Sequence, residues 1–335
     1  MSDNRFILVT AVSHLLIISG LAAYFVYQME LNQPMQLAAP EILRVERGDS
    51  LTAIGRRLVN EGWIKRSFFF ILTGRIRGVA GSLKSGEYEL RPGMTPRECL
   101  ALLVSGKVIQ YPLTIPEGWT FKQIMEAVQS HPKLKHTLPD VEAATVMAAL
   151  GKPGLHPEGW FFPETYLFPA DTTDVEFLSR SLTMMEQVLV EEWQRRYPDL
   201  PYKAPYEALI MASIIEKETA VPEERAKISG VLVRRLQRGI KLQTDPTVIY
   251  AVGEKYDGDI TTRHLEIDSP YNTYRHHGLP PTPIAVPGRD SIRAALQPAA
   301  GNALYFVAMR DGRHYFSETL EEHNAAVSKY QLRKP

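Results

Sequence analysis

The chain has 335 residues, which at about 100–200 residues per domain is room for two or three domains. Lys+Arg and Asp+Glu both total 38, so the formal net charge is zero, and 44% hydrophobic with 23% charged residues is an ordinary globular balance. No basic excess calls for nucleic acid, which needs clustered cations. The single cysteine, Cys99, excludes an intrachain disulfide and a cysteine metal cluster.

Residues 6–27 read FILVTAVSHLLIISGLAAYFVY, without a formally charged residue. About 20 apolar residues span a bilayer core, whereas a signal peptide has an apolar core of only about 7–15. Ala38-Ala39-Pro40 is a poor cleavage site and lies well beyond the run. The expectation is an uncleaved single-pass anchor. Arg5 and the free amino group precede the run, and no Lys or Arg follows until Arg44. Positive flanks stay inside, so the N-terminus is expected in the cytoplasm and the remainder outside. Tyr24 and Tyr27 would mark the outer interface, and residues 28–41 read as a short linker.

A strand, a glycine turn and a capped helix then recur three times. The phrases are Val45-Glu46-Arg47-Gly48-Asp49-Ser50 with a stripe at Leu51, Ile54 and Leu58; Leu90-Arg91-Pro92-Gly93-Met94-Thr95 with Cys99, Leu102 and Leu103; and Ile115-Pro116-Glu117-Gly118-Trp119-Thr120 with Ile124 and Val128. In each, a hydroxyl two residues after the glycine can cap a helix start. Glu98 and Gln123 stand three residues after Thr95 and Thr120, as a capping box requires. Cys99, among leucines, reads as a small core residue. Trp63, Phe68, Phe69 and Phe70 are open to two readings, as sugar-stacking rings or as core.

Residues 205–219, PYEALIMASIIEKET, predict a helix that is apolar nearly all round and therefore buried. Buried carboxylates are expensive unless paired or used, yet this helix ends in Glu216 and Glu218. At two residues apart they point about 200° from one another, so they are not a dyad. Glu218 shares its face with Met211, Ile214 and Ile215. Apolar neighbours and the negative end of the helix both raise its pKa, as a general acid requires. Either glutamate alone remains open to a plain ion pair, with Lys217, Arg225 or Lys227. A second helix is predicted over 222–239, followed by the loops Leu242-Gln243-Thr244-Asp245-Pro246-Thr247, Pro270-Tyr271-Asn272-Thr273-Tyr274 and Gly278-Leu279-Pro280-Pro281-Thr282-Pro283-Ile284. These are rich in amide, hydroxyl and aromatic groups that suit a sugar ligand, and functional groups concentrate on such loops.

The phrase GDSLTAIGRRL resembles the start of a LysM module, a small βααβ fold that binds N-acetylglucosamine polymers. EGWFFPETY, IIEKET, LQTDPTVIY, SPYNTY and GLPPTPI, in this order, resemble the endolytic murein transglycosylases (the YceG-like lytic transglycosylases) over nearly the whole chain. Glu164 stands where many of that family are expected to carry Asp. The resemblance implies an α+β protein: an anchor at 1–28, a linker at 29–43, a small LysM-like α/β domain at 44–130 and a mixed α+β catalytic domain at 131–335. It also implies that the catalytic group is the glutamate followed by Ser or Thr, here Glu218 before Thr219. The substrate contacts expected beside it are Gln243, Thr244, Asp245, Tyr250, Asn272, Tyr274 and Asn324. The implied reaction cleaves the β-1,4 bond between N-acetylmuramic acid and N-acetylglucosamine, inside peptidoglycan strands, and leaves a 1,6-anhydro end. The C6 hydroxyl of the sugar is the nucleophile, so no partner carboxylate, metal or cofactor is needed. His276 and His277 are adjacent and no HExxH phrase occurs, which leaves a metalloenzyme unsupported. The implied partners are the glycan strands, the membrane and the peptidoglycan synthases. A hydrolytic muramidase using Asp245 or Glu216, and a membrane-tethered glycan-binding scaffold, are the competing readings.

Overall fold

The computed structural model describes residues 2–332 and divides them into two compact units, one of residues 2–111 with 169–171, the other of 112–168 with 172–332.

The first unit opens on helix α1 (Ser2–Asn32), whose large apolar side chains from Phe6 to Val26 are exposed. Among the described residues, Phe6–Asn32 is the one helix long and apolar enough to cross a membrane. Where a linker is expected from residue 28, α1 instead continues to Asn32. The reason is packing: Leu31 and Met35 are buried in this unit. Arg97 donates to Asn32 Oδ1 (3.0 Å) and to Gln28 Oε1 (2.9 Å), and the Met35 and Gln36 amides donate to the Met94 (2.7 Å) and Trp63 (2.8 Å) carbonyls.

After it come β1 (Glu41–Val45), α2 (Leu51–Asn60), α3 (Phe68–Ile76), β2 (Gly86–Leu90) and α4 (Pro96–Ser105). Strands β1 and β2 pair antiparallel from Glu41↔Leu90 to Val45↔Gly86, so the order around this pair is βααβ. Leu43, Val45, Tyr88 and Leu90 face inward and meet Leu51, Ile54 and Leu58 of α2 and Leu100 and Leu103 of α4. Cys99 lies in this core, and burial pushes its thiol pKa up to about 12. The aromatic cluster is divided: Phe70 is core, Trp63 packs at its edge and Phe68 is exposed.

The three phrases fold as their residues direct. Gly48, Gly93 and Gly118 take φ of +89°, +87° and +76°, a region open to glycine at little cost. Ser50 Oγ caps the Ala53 amide, and Thr95/Glu98 and Thr120/Gln123 form capping boxes. The third phrase, β3 (Gln110–Thr114) and α5 (Phe121–Ser130), leads into the second unit.

That unit continues through β4 (Leu134–Lys135), α6 (Ala143–Ala149), β5 (Thr165–Pro169), β6 (Thr172–Thr173), α7 (Asp174–Gln194), α8 (Pro205–Glu218), α9 (Arg225–Gln237), α10 (Asp245–Val252), α11 (Thr262–Leu265), α12 (Arg289–Leu296), β7 (Tyr305–Ala308), β8 (His314–Ser317) and α13 (Leu320–Val327). Strand β3 lies beside β5, β4 runs parallel to β6, and β7 and β8 form an antiparallel hairpin. Helix α8 is the axis: every residue from Ala208 to Ile215 is buried, against α7, α9, α10 and α12. Two buried carboxylates brace α7. Glu192 meets Arg289 (2.9 Å) and Arg293 (3.3 Å) of α12. Asp174 accepts from the amides of Thr137 (2.9 Å) and Leu138 (3.1 Å) and from the Thr137 hydroxyl. Burial alone would raise the Asp174 pKa; these hydrogen bonds outweigh it and hold the pKa below its usual value. The chain is thus a mixed α+β protein with one apolar N-terminal helix.

Asp174→Ala removes the acceptor shared by the Thr137 and Leu138 amides and the Thr137 hydroxyl, and chemical denaturation should show a loss of about 2 kcal/mol. In the parent protein this contribution is present above the unfolded carboxyl pKa and is lost as pH falls through the lower folded value.

Candidate active site

Helix α8 starts on Pro205, needs no side-chain cap, and stops at Glu218 because Thr219 turns extended (φ −145°, ψ 136°). The Thr219 hydroxyl accepts from the Val221 amide (3.0 Å), which fixes the exit. The carboxyl group of Glu218 opens into a cleft of about 450 Å³. Loop 242–245, Tyr274, the β7–β8 hairpin and α13 form its walls. Protein surrounds the carboxyl on its other sides. Its pKa is raised to about 8, first by loss of solvent and then by the negative charge of Asp245.

Asp245, in the first turn of α10, lines the same cleft and accepts from the Tyr274 hydroxyl at 2.6 Å. The Tyr274 phenol is itself raised in pKa, by burial first and by Asp245 second, so it stays a donor. Gln243 also lines the cleft, in the left-handed region at φ +54°, a conformation that costs a non-glycine residue energy. Its surroundings hold it there. The Gln243 amide donates to the Thr273 carbonyl (3.2 Å), the Thr244 amide to Thr273 Oγ1 (3.0 Å), and the Thr247 and Thr273 hydroxyls share a 2.8 Å bond. Arg235, buried on α9, donates to the carbonyls of Leu304 (2.7 Å), Lys241 (3.0 Å) and Leu242 (2.7 Å), and to Gln243 Oε1 (3.3 Å). It ties α9, the 240–243 loop and β7 to one cleft wall.

Of the expected contacts, Gln243, Asp245, Tyr274 and Asn324 share the cleft with Glu218. Three do not line it. Thr244 is buried among the threonine hydroxyls. Asn272 is fully buried; its amide nitrogen donates to the Leu265 and Ile267 carbonyls while its oxygen accepts from the Tyr274 amide, so it shapes the loop that presents Tyr274. Tyr250 donates to Glu158 (2.9 Å) and packs on Tyr271. Glu158 is a second buried carboxyl with a pKa raised by burial, to about 7, but it is not among the residues facing the cleft.

Glu216 points elsewhere, as the helical spacing requires. It accepts from the Gly288 amide (3.0 Å) and pairs with Arg225 (3.7 Å). Sequence reasoning missed Arg235, Tyr305, His314 and His323, all cleft residues. Arg235 carried a signal: it falls on the face of α9 that holds Val231 and Leu232, where a cation is out of place. The others come from the C-terminal hairpin and α13, far from the motifs in sequence.

The profile of the YceG-like family matches residues 43–329. The chain belongs to the YceG-like family. It is similar to an endolytic murein transglycosylase of Bacillus subtilis, at 33% identity over 91% of this chain and 89% of that protein. It is 27% identical to an endolytic murein transglycosylase of Streptococcus pneumoniae over 95% of this chain, which spans 64% of that longer relative. A crystal structure of a YceG-like protein from Listeria monocytogenes superposes with a TM-score of 0.54 at 32% identity, over 86% of this chain and 99% of that one.

In this YceG-like chain the Glu218 carboxyl is protonated more readily in the folded state than in the unfolded one. Its contribution to stability is therefore complete below the ordinary value of 4.5 and is lost as pH rises through about 8. Glu218→Gln should leave the melting temperature nearly unchanged at about pH 4 and raise it at about pH 9. Asp245→Asn removes the second cause and should lower the Glu218 pKa, read from a carbon-13 NMR titration of the glutamate carboxyl.

Proposed function

We propose that this chain is an endolytic murein transglycosylase in which Glu218 serves as acid and then as base. The supporting observation is the carboxyl at the end of the buried helix, raised to a pKa of about 8 and open to one cleft. At neutral pH it carries the proton that a departing glycosidic oxygen needs. As the C1–O4 bond of the β-1,4 linkage breaks, that proton goes to the leaving oxygen and positive charge develops at C1 of the muramyl sugar. The carboxylate so formed takes the proton of the C6 hydroxyl, and O6 closes on C1. The products are a free 4-hydroxyl on one fragment and a 1,6-anhydro end on the other. An internal nucleophile has a high effective concentration, so no water need be activated. Asp245 raises the pKa of the acid and supplies negative charge toward the developing cation, with Tyr274 fixing its position. Gln243 and Asn324 offer amides to the sugar substituents.

In the same reading α1 is a single-pass anchor of the bacterial inner membrane with its N-terminus in the cytoplasm, and both units are periplasmic. The flanking charges support this: Arg5 lies on one side, and no cation on the other before Arg44. The first unit is a LysM-like glycan-binding module, supported by its βααβ order. Cutting then takes place on nascent strands near the membrane-bound synthases and ends their growth.

The deciding experiment is digestion of purified sacculi followed by mass analysis of the muropeptides. The parent protein should release anhydro ends, one water lighter than reducing ends. Glu218→Gln should lower the yield about 10²–10⁴-fold while the protein remains folded. Reducing ends from the parent protein would instead identify a hydrolase using Asp245, the other carboxylate of the cleft.

A further inference from the structure

Helix α3 carries an apolar and basic face that neither the catalytic chemistry nor the core of the first unit uses. Phe68 is 63% exposed and Ile76 70% exposed. On the helix, Phe68, Leu72, Arg75 and Ile76 fall within a sector of about 100°. The adjoining sector holds Phe69 and Thr73, and both meet α1: the Phe69 ring lies 6.2 Å from that of Tyr27, and the Thr73 hydroxyl donates to the Tyr27 oxygen at 3.1 Å. Phe70 and Gly74 are buried on the core side.

Two independent observations say what covers the open sector. One is depth. At 1.5 Å per residue, α1 rises about 30 Å over the 20 residues that follow Phe6, the thickness of a bilayer core. Tyr27 therefore stands at the outer interface, and α3 touches α1 at that level. The other is charge. Between Glu61 and Glu87 the chain carries Lys65, Arg66, Arg75, Arg77 and Lys84 and no carboxylate. Lys65, Arg66, Arg75 and Arg77 are exposed, and Glu30 is the one carboxylate lining the small groove that Lys65 and Arg66 border beside α1. Exposed aromatic and aliphatic side chains flanked by cations, beside the end of a spanning helix, match the chemistry of an anionic lipid surface.

We propose that α3 is an interfacial helix, with Phe68 and Ile76 inserted among the lipids of the outer face of the membrane and Lys65, Arg66, Arg75 and Arg77 bound to anionic phospholipid headgroups. This inference rests on the reading of α1 as a membrane anchor. The first unit is then held on the bilayer by two contacts, the spanning helix and the α3 face.

The test uses the full chain in nanodiscs of phosphatidylcholine, with and without phosphatidylglycerol. A nitroxide is placed at Phe68→Cys or, in a separate protein, at Leu21→Cys; the native Cys99 is buried in the core. Collision with membrane-soluble oxygen is compared with collision with a water-soluble nickel chelate. The expected result is protection from nickel at both positions, stronger at position 68 in the anionic discs. In the R75Q/R77Q protein the population protected at 68 should fall about fivefold for each cation removed, with Leu21→Cys unaffected. Protection at 21 with free nickel access at 68 overturns the inference and leaves the anchor intact. Nickel access at both positions overturns both. Protection at 68 that arises only when murein strands are added makes the face a glycan site and overturns the lipid assignment.

Discussion

A helix buried on every side must still place its last carbonyls somewhere, and α8 places them beside an ionisable side chain. The second unit is organised around that constraint. Helices α7, α9, α10 and α12 sheathe Ala208–Ile215, and the buried Ser213 hydroxyl accepts the Ile284 amide (3.0 Å), which draws the proline-rich loop onto the same helix. Glu218 leaves this enclosure through one cleft. The desolvation that the sheath imposes raises the pKa, and the rigidity that the sheath provides holds the carboxyl at one point. Packing and acid strength thus have a common origin.

A raised pKa alone does not mark the site. Glu158, buried, and Glu218, half-buried, are both carboxyls shifted upward mainly by loss of solvent. Glu158 is hydrogen-bonded by the Phe121 amide (2.8 Å) and the Tyr250 hydroxyl (2.9 Å), and so joins α5 to α10 as a structural link. Glu218 shares an open cleft with Asp245, whose negative charge acts on it. Access and geometry separate the two where the direction of the pKa shift does not.

Much of this was legible in the sequence because local rules wrote it. The glycine turns, the Ser50, Thr95 and Thr120 caps, the apolar stripes and the opposed directions of Glu216 and Glu218 follow from residues a few places apart. What the sequence hid depends on long-range assembly. Thr244, Tyr250 and Asn272 have the chemistry of sugar ligands, but hydrogen bonds to Thr273, Glu158, Leu265 and Ile267 draw them inward. Tyr305, His314 and His323 reach the cleft only because the C-terminal hairpin and α13 fold back beside loop 242–245. The stretch after residue 28 is polar enough to read as a linker, and scattered Leu31, Met35 and Leu37 record that it is packed.

That packed junction changes how a tether should be counted. A flexible leash lets a module sample a volume set by linker length, and its local concentration at any target falls as the leash lengthens. Here the chain from Tyr27 to Gln36 has no slack, because Arg97, Thr73, Met94 and Trp63 each bind it to the first unit. With α1 in a bilayer, the first unit rides as on a post, at one height and one tilt. If it binds glycan as proposed above, its search would be a walk in two dimensions, limited to strands that lie within its own thickness of the lipid.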